Sequence, residues 1–194
     1  MADMEQIKKL REETGVSITE CKKALEQVQG DLDEAKKVLR ERGIELAGKR
    51  AEKETAQGIV ESYIHPNKKV GVLLELRCES DFVARSEDFQ NLAHEICMQI
   101  AAMKPIFVSE DQIPEEFLDG EKKIYQEQVA DSGKPQNIVE QIIEGKLSKY
   151  KESVSLMSQP WIKDQDKTIS DLLNETIAKI GEKIVVKNFT RYEI

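Results

Sequence analysis

Residues 78–85 read Cys-Glu-Ser-Asp-Phe-Val-Ala-Arg, and they concentrate the residue types able to engage another molecule. They follow an apolar run, Val70-Gly71-Val72-Leu73-Leu74-Glu75-Leu76, of the kind that forms a buried strand, and precede a helical pattern from about Ser86 to Met103. Glu79-Ser80-Asp81 is a polar turn, and Phe82 stands at the junction of two rigid elements. A large ring at such a corner has two uses. It can cover the sheet at the strand–helix junction, or it can act as a wedge driven into a partner. Either use is noncovalent.

Nothing else in the chain proposes covalent chemistry. Cys21, Cys78 and Cys97 are far apart and lack Cys-x-x-Cys spacing, which argues against a zinc or redox site and for buried free thiols in a reducing compartment. His65 and His94 have no acid or cysteine at catalytic spacing and read as a turn residue and a helix-surface residue. There is no phosphate-cradling glycine loop and no nucleophile elbow. The expectation is therefore no catalytic residue, no metal, no cofactor and no enzyme activity.

The 194 residues suffice for one ordinary domain and a small appendage. Net charge is −8, which disfavours nucleic acid as the main partner, since phosphate binding needs clustered Lys and Arg. The charge is uneven. Residues 1–50 carry 11 basic and 11 acidic side chains, and the remainder 18 and 26, which places a boundary near residue 50. No apolar run approaches the length of a membrane span, and the N-terminus has neither an apolar nor an arginine-rich leader. A cytoplasmic protein with no membrane contact is expected.

The elements follow from periodicity. Residues 1–43 read as three short helices. The first carries Met4, Ile7 and Leu10 and ends at Thr14-Gly15; the second opens on a Ser17–Glu20 capping box and carries Ile18, Cys21, Ala24, Leu25 and Val28. The third starts at Asp31 and stops at Gly43. Such a bundle resembles the ubiquitin-associated type. Residues 44–57 read as a solvated helical linker. Gly58–Ile64 and Val70–Leu76 form a hairpin around His65-Pro66-Asn67-Lys68-Lys69. Helices are expected from Ser86 to Met103, from Pro114 to about Ala130, from about Asn137 to Met157 with Ile138, Ile142, Ile143, Leu147 and Tyr150 inward, and after Thr168 or Ser170. Ser132-Gly133-Lys134-Pro135 breaks the helix that starts at Pro114, Gln159-Pro160-Trp161-Ile162 is a short extended piece with Trp161 in the core, and Lys183–Glu193 is a third strand. The fold class is α+β, with a three-helix bundle over residues 1–50 and, over 51–194, a three-stranded antiparallel sheet packed with helices.

Several segments in this order and spacing resemble one known family. They are Leu10-Arg11-Glu12-Glu13-Thr14-Gly15, Cys21-Lys22-Lys23-Ala24-Leu25, Gly58-Ile59-Val60-Glu61, the run from Cys78 to Arg85, Gly133-Lys134-Pro135, Glu144-Gly145-Lys146-Leu147, Ser158-Gln159-Pro160-Trp161 and Ile180-Gly181-Glu182. Together they are similar to elongation factor Ts, the guanine-nucleotide exchange factor for elongation factor Tu. Ser80 stands where the family often has Thr, and Ile18-Thr19 where it often has two Met. The chain stops at Ile194, before the Gly-rich acidic tail common in the family, and is similar to the short form, in which two chains can pair.

The resemblance implies a translation elongation factor that binds elongation factor Tu carrying GDP and promotes GDP release by disturbing the partner's Mg²⁺ site. It implies that Phe82 inserts into the partner's nucleotide domain, with Asp81 anchoring beside it and Ser80 and Val83 completing the contact. It implies secondary partner contacts from Ile18, Thr19 and Lys22 in the bundle and from Ile180 and Gly181 in the core. It further implies a homodimer. Taken alone, Lys22 reads equally as a solvated helix face and Gly181 as a plain helix C-cap.

Overall fold

The computed structural model describes residues 3–130 and 135–194. Three helices come first: α1 (Met4–Thr14), α2 (Ile18–Gln27) and α3 (Leu32–Lys49). Ile7, Leu10, Val16, Cys21, Ala24, Leu25, Ala35 and Leu39 are buried between them and form a small core of their own. Asp31 caps α3 by accepting the Asp33 and Glu34 amides. Only half of the expected capping box on α2 forms. Ser17 accepts the Glu20 amide, but the Glu20 carboxylate turns to Lys23 and Arg42 instead of reaching back. Ile18, expected on the inner face of α2, is exposed.

The third helix does not stop at Gly43. It continues one and a half turns further, and Leu46 and Ala47, expected in a solvated linker, pack against the main core. Gly43 is buried against α8 (Ile169–Ile180), where a Cβ would lie 2.8 Å from the Asn174 carbonyl oxygen and 3.1 Å from the Ala178 Cβ. Glycine here permits close helix packing. Its cost of about 1 kcal/mol relative to alanine is too small to end a helix that tertiary contact holds on both sides of it.

The main sheet has the order β1-β2-β5 with both pairings antiparallel: β1 (Gln57–Ile64), β2 (Val70–Cys78) and β5 (Ile184–Glu193). Alternation puts Val72, Leu74, Leu76, Cys78, Ile184 and Val186 on one face, where they are buried. Helix α5 (Glu87–Met103) lays Phe89, Leu92, Ala93, Ile96, Cys97 and Ile100 into that core, and α8 adds Ile169, Leu173 and Ile177. On the opposite face Val60, Ile64, Leu73 and Tyr192 are exposed.

Between α5 and α8 stand α6 (Glu115–Ala130) and α7 (Gln136–Val154). The expected break at Ser132-Gly133-Lys134 lies outside the described residues. The stacked rings of Phe117 and Tyr150, 6.0 Å apart, and Phe107 against Phe117 at 5.3 Å join this helix pair to the rest. Ile143 is buried, whereas Ile138, expected inward, is exposed. Helix α7 ends at Val154, short of the expected Met157. The backbone there leaves the helical ladder, and the Leu156 and Met157 amides donate to the Phe107 and Val108 carbonyls. A small hairpin follows, β3 (Pro160–Trp161) and β4 (Asp164–Thr168), of which the sequence suggested only the first strand. Trp161 is half-buried against the core, and Thr168 is the residue that caps α8. No helix among the described residues is long and apolar enough to cross a membrane.

Candidate functional site

The strand β2 delivers the chain to Cys78, and the polar residues after it cannot continue the buried face. Instead the backbone closes a single helical turn, α4 (Asp81–Ala84). Ser80 caps it, its hydroxyl accepting the Val83 amide at 3.3 Å. Ser86 closes the other end, donating to the Val83 carbonyl at 2.8 Å while accepting the Phe89 amide to start α5. Ala84 is buried and Val83 packs against the core, so the turn sits on its Val83–Ala84 side. That leaves Phe82 pointing the other way, 82% exposed. An exposed Phe is unremarkable in a mobile loop, but this one is carried by a turn anchored at both ends. Asp81, beside it, pairs with Arg85 at 3.1 Å one turn on.

The N-terminal anchor comes from far away in sequence. Glu182, just after α8, accepts the Ser80 amide at 3.0 Å and the Ser80 hydroxyl at 2.7 Å. Glu79 does the converse, accepting the Lys183 amide at 2.7 Å, and also binds the Arg50 guanidinium at 2.7 and 2.9 Å. The Lys183 amide, together with Arg50, holds the Glu79 carboxyl below its usual range against the opposing effect of burial. The Cys78 thiol donates to the Ser80 carbonyl at 3.1 Å, and burial, helped by Glu182, pushes that thiol up to about 11, so it keeps its proton near neutrality.

Glu182 follows Gly181, the C-cap of α8, whose φ of 83° is left-handed and whose missing side chain faces open space. Ile180 and Gly181 therefore lie next to α4, and the sequence-derived candidates Ser80, Asp81, Phe82, Val83, Ile180 and Gly181 fall at one end of the molecule. Ile18 is linked to them less directly. It lines a groove with Met4, Arg11, Gly15 and Lys179, and Lys179 pairs with Asp88 at the start of α5. Thr19 and Lys22 are exposed on α2, and Lys22 pairs with Glu26 at 3.8 Å on its own helix. The structure does not bring these two onto the α4 platform.

The bundle is fastened to the core by an ion pair and hydrogen bonds as well as by α3. Arg40 reaches Asp171 at 2.5 Å, and Lys183 donates to the Ala51 and Lys53 carbonyls. Burial pushes the Asp171 carboxyl up, but hydrogen bonds from Arg40 and from the amide and hydroxyl of Thr168 outweigh it and hold the carboxyl low.

Among the described residues no group of three His, Cys, Asp or Glu side chains could hold a metal ion. All three cysteines are free and buried, and burial pushes the Cys97 thiol up to about 12. His65 accepts or donates one hydrogen bond with the Tyr63 hydroxyl, and His94 lies 3.7 Å from Glu61. Glu79, Glu182 and Arg50 escaped the sequence reading as site residues. Their partners are 102, 104 and 29 positions away in hydrogen bonds that periodicity does not reveal. The one available signal was that both acids immediately follow a structural stop, Cys78 at the end of β2 and Gly181 at the cap of α8.

Comparison with known proteins agrees on one family. The model of the family described as elongation factor TS matches residues 3–194. Elongation factor Ts of Thermosipho melanesiensis is 49% identical over 188 residues, covering 97% of this chain and 96% of the relative. That of Thermotoga petrophila is 51% identical over 191 residues, covering 98% and 95%. That of Moorella thermoacetica is 48% identical over 188 residues, covering 97% and 93%.

Proposed function

The chain belongs to the elongation factor Ts family of translation elongation factors, and on that premise we propose that it binds elongation factor Tu carrying GDP and accelerates release of the nucleotide. The observation that carries this reading is the combination at position 82: a large apolar ring, 82% exposed, on a helical turn fixed at both ends.

An exchange factor forms no covalent bond. It binds the nucleotide-free partner more tightly than the nucleotide-bound one, and by linkage the nucleotide weakens the factor to the same degree. A coupling of ~4 kcal/mol corresponds to about a thousandfold change in affinity. Inserting Phe82 between packed elements of the partner supplies roughly 2–3 kcal/mol of apolar burial. Because a packed interior shifts between discrete arrangements instead of yielding gradually, the insertion moves groups beyond those it touches. We read the Mg²⁺ site of the partner as the part displaced, which leaves the diphosphate charge poorly compensated. Asp81 anchors beside the ring, with Ser80 and Val83 framing it. Ile180 and Gly181 add a second contact, where the bare Gly181 admits a close approach. Ile18, Thr19 and Lys22 contribute from a bundle of the ubiquitin-associated type. The reaction needs no cofactor or resident metal, and the chain is not an enzyme in the bond-making sense.

We read residues 1–50 as one unit and 51–194 as the other, which the two separate apolar cores support. The exposed face of the main sheet, with Val60, Ile64, Leu73 and Tyr192, suits a homodimer. Its location is the cytoplasm, where elongation takes place, with neither nucleic acid nor membrane as partner.

The test is stopped-flow release of fluorescent GDP from elongation factor Tu. Substoichiometric amounts of this chain should accelerate release with turnover. Release at the spontaneous rate, with the chain folded and in excess, overturns the proposal.

A further inference from the structure

A helix of four residues does not hold itself. Nucleation fixes several dihedrals for very few hydrogen bonds, and the helical backbone bonds of α4 are Ala84 to Ser80 and Arg85 to Asp81, both 3.2 Å, with the Ser86 amide closing its end on the Val83 carbonyl at 2.9 Å. Its orientation must come from outside. At the C-terminal side it comes from Ser86 and from the buried Ala84. At the N-terminal side it comes mainly from Glu182, whose two oxygens take both donors of Ser80. Glu79 and Glu182 make a reciprocal clasp in which each binds the amide of the residue that follows the other.

We propose that Glu182 is a positioning residue for nucleotide exchange: it fixes the Ser80 cap, the cap fixes α4, and α4 presents the Phe82 ring in its docking orientation before the partner arrives. This rests on the reading of Phe82 as the docking group. Two features set Glu182 apart from an ordinary structural acid. Both of its oxygens are spent on one residue, and that residue is two positions from the ring. A charged acceptor also makes stronger bonds than a neutral one, so the restraint is tight. An exposed ring gains nothing from being held. The benefit appears on docking, when a pre-ordered turn loses less freedom than a slack one. Since Glu182 directly follows Ile180-Gly181, the same carboxylate joins the two core contacts into one platform.

The experiment is a double-mutant cycle on GDP release from elongation factor Tu at limiting factor, with thermal melting of each variant. Glu182→Ala should slow stimulated release by about tenfold to a hundredfold, the loss expected for hydrogen bonds to a charged group. In the Phe82→Ala background the same change should cost at most about twofold, because a carrier without its ring has nothing to position. Glu182→Gln keeps one acceptor for the Ser80 amide but loses the charge and the acceptor for the Ser80 hydroxyl, so its activity should fall between those of wild type and Glu182→Ala. Should Glu182→Ala lower the melting point too far to assay, Ser80→Ala removes the hydroxyl, and with it both the Glu182 contact and the cap on the Val83 amide, while keeping the Ser80 amide bond to Glu182; it enters the same cycle, with a loss of about threefold to tenfold that again vanishes without the ring. Equal losses with and without Phe82 overturn the positioning role. So does full activity of Glu182→Ala while Phe82→Ala is impaired, an outcome that leaves the docking reading standing. Full activity of Phe82→Ala removes the docking reading and this inference with it.

Discussion

Replacing Phe82 by Ala removes the ring from the tip of α4 and nothing from the core. The ring is 82% exposed in the free chain, so the folded state has little to lose. Surface changes of this kind stay within about 0.5 kcal/mol, or roughly 1–2 °C in melting temperature for a chain of this size. Alanine is also the better helix former by a few tenths of a kcal/mol, which offsets part of any loss. Docking is different. Nearly the whole ring is available for burial, worth roughly 2–3 kcal/mol, and every 1.4 kcal/mol is tenfold. Stimulated GDP release at limiting factor should therefore fall by about 30- to 160-fold. Phe82→Leu, which keeps an apolar side chain of smaller area, should fall between. The assay is stopped-flow release of labelled GDP against factor concentration, with melting curves and circular dichroism on the same samples. A loss below about threefold would exclude Phe82 as the docking group, as would a large loss accompanied by a drop in melting temperature of many degrees, since the ring would then be serving the fold.

Three further outcomes follow from the same structure. Gly43→Val places a side chain against the Asn174 carbonyl and Ala178, so it should destabilise the chain by about 1–3 kcal/mol on thermal melting, whereas Gly48→Ala, where a Cβ meets nothing within 4 Å, should stabilise it by about 0.4–1 kcal/mol. The Asp171 carboxyl titrates lower in the folded chain than in the unfolded one, so its contribution is complete above the unfolded value of about 3.9 and is lost as pH falls through the folded value. Wild type should accordingly melt above Asp171→Asn at pH 7, with the gap closing only below about pH 4. Leu73→Glu puts a charge at the centre of the exposed sheet face, and sedimentation should show a homodimer shifted to monomer with the melting temperature little changed.

The sheet and most of the helices could be read from periodicity, because a period-two run such as Val72-Leu74-Leu76 and a wide stripe such as Phe89-Leu92-Ala93-Ile96 have few alternatives. Gly43 misled for a physical reason. A glycine at the end of an apolar stripe looks like a stop, and only the approach of α8 shows that it is a packing site. Likewise β4 was not legible: Asp164-Gln165-Asp166-Lys167-Thr168 has no apolar alternation, and its pairing is set by the turn after Trp161. The α4 segment stood out as a motif, and the exposure of Phe82 removes one of the two uses first considered for it, because a ring that covered the sheet would be buried. The brace that holds it could not be seen. Glu79 and Glu182 look like any surface acids until the topology sets the end of β2 beside the start of β5.

In the proposed exchange, the ring at position 82 leaves water for the interior of a nucleotide-free partner and returns when the nucleotide does. Fluorine at the para position of Phe82, followed by ¹⁹F resonance, reports this directly. Adding nucleotide-free elongation factor Tu should move the signal to a buried environment, and adding GDP with Mg²⁺ should restore the free position. A complex that forms, by sedimentation, while the fluorine stays at its free position rules out insertion of the ring.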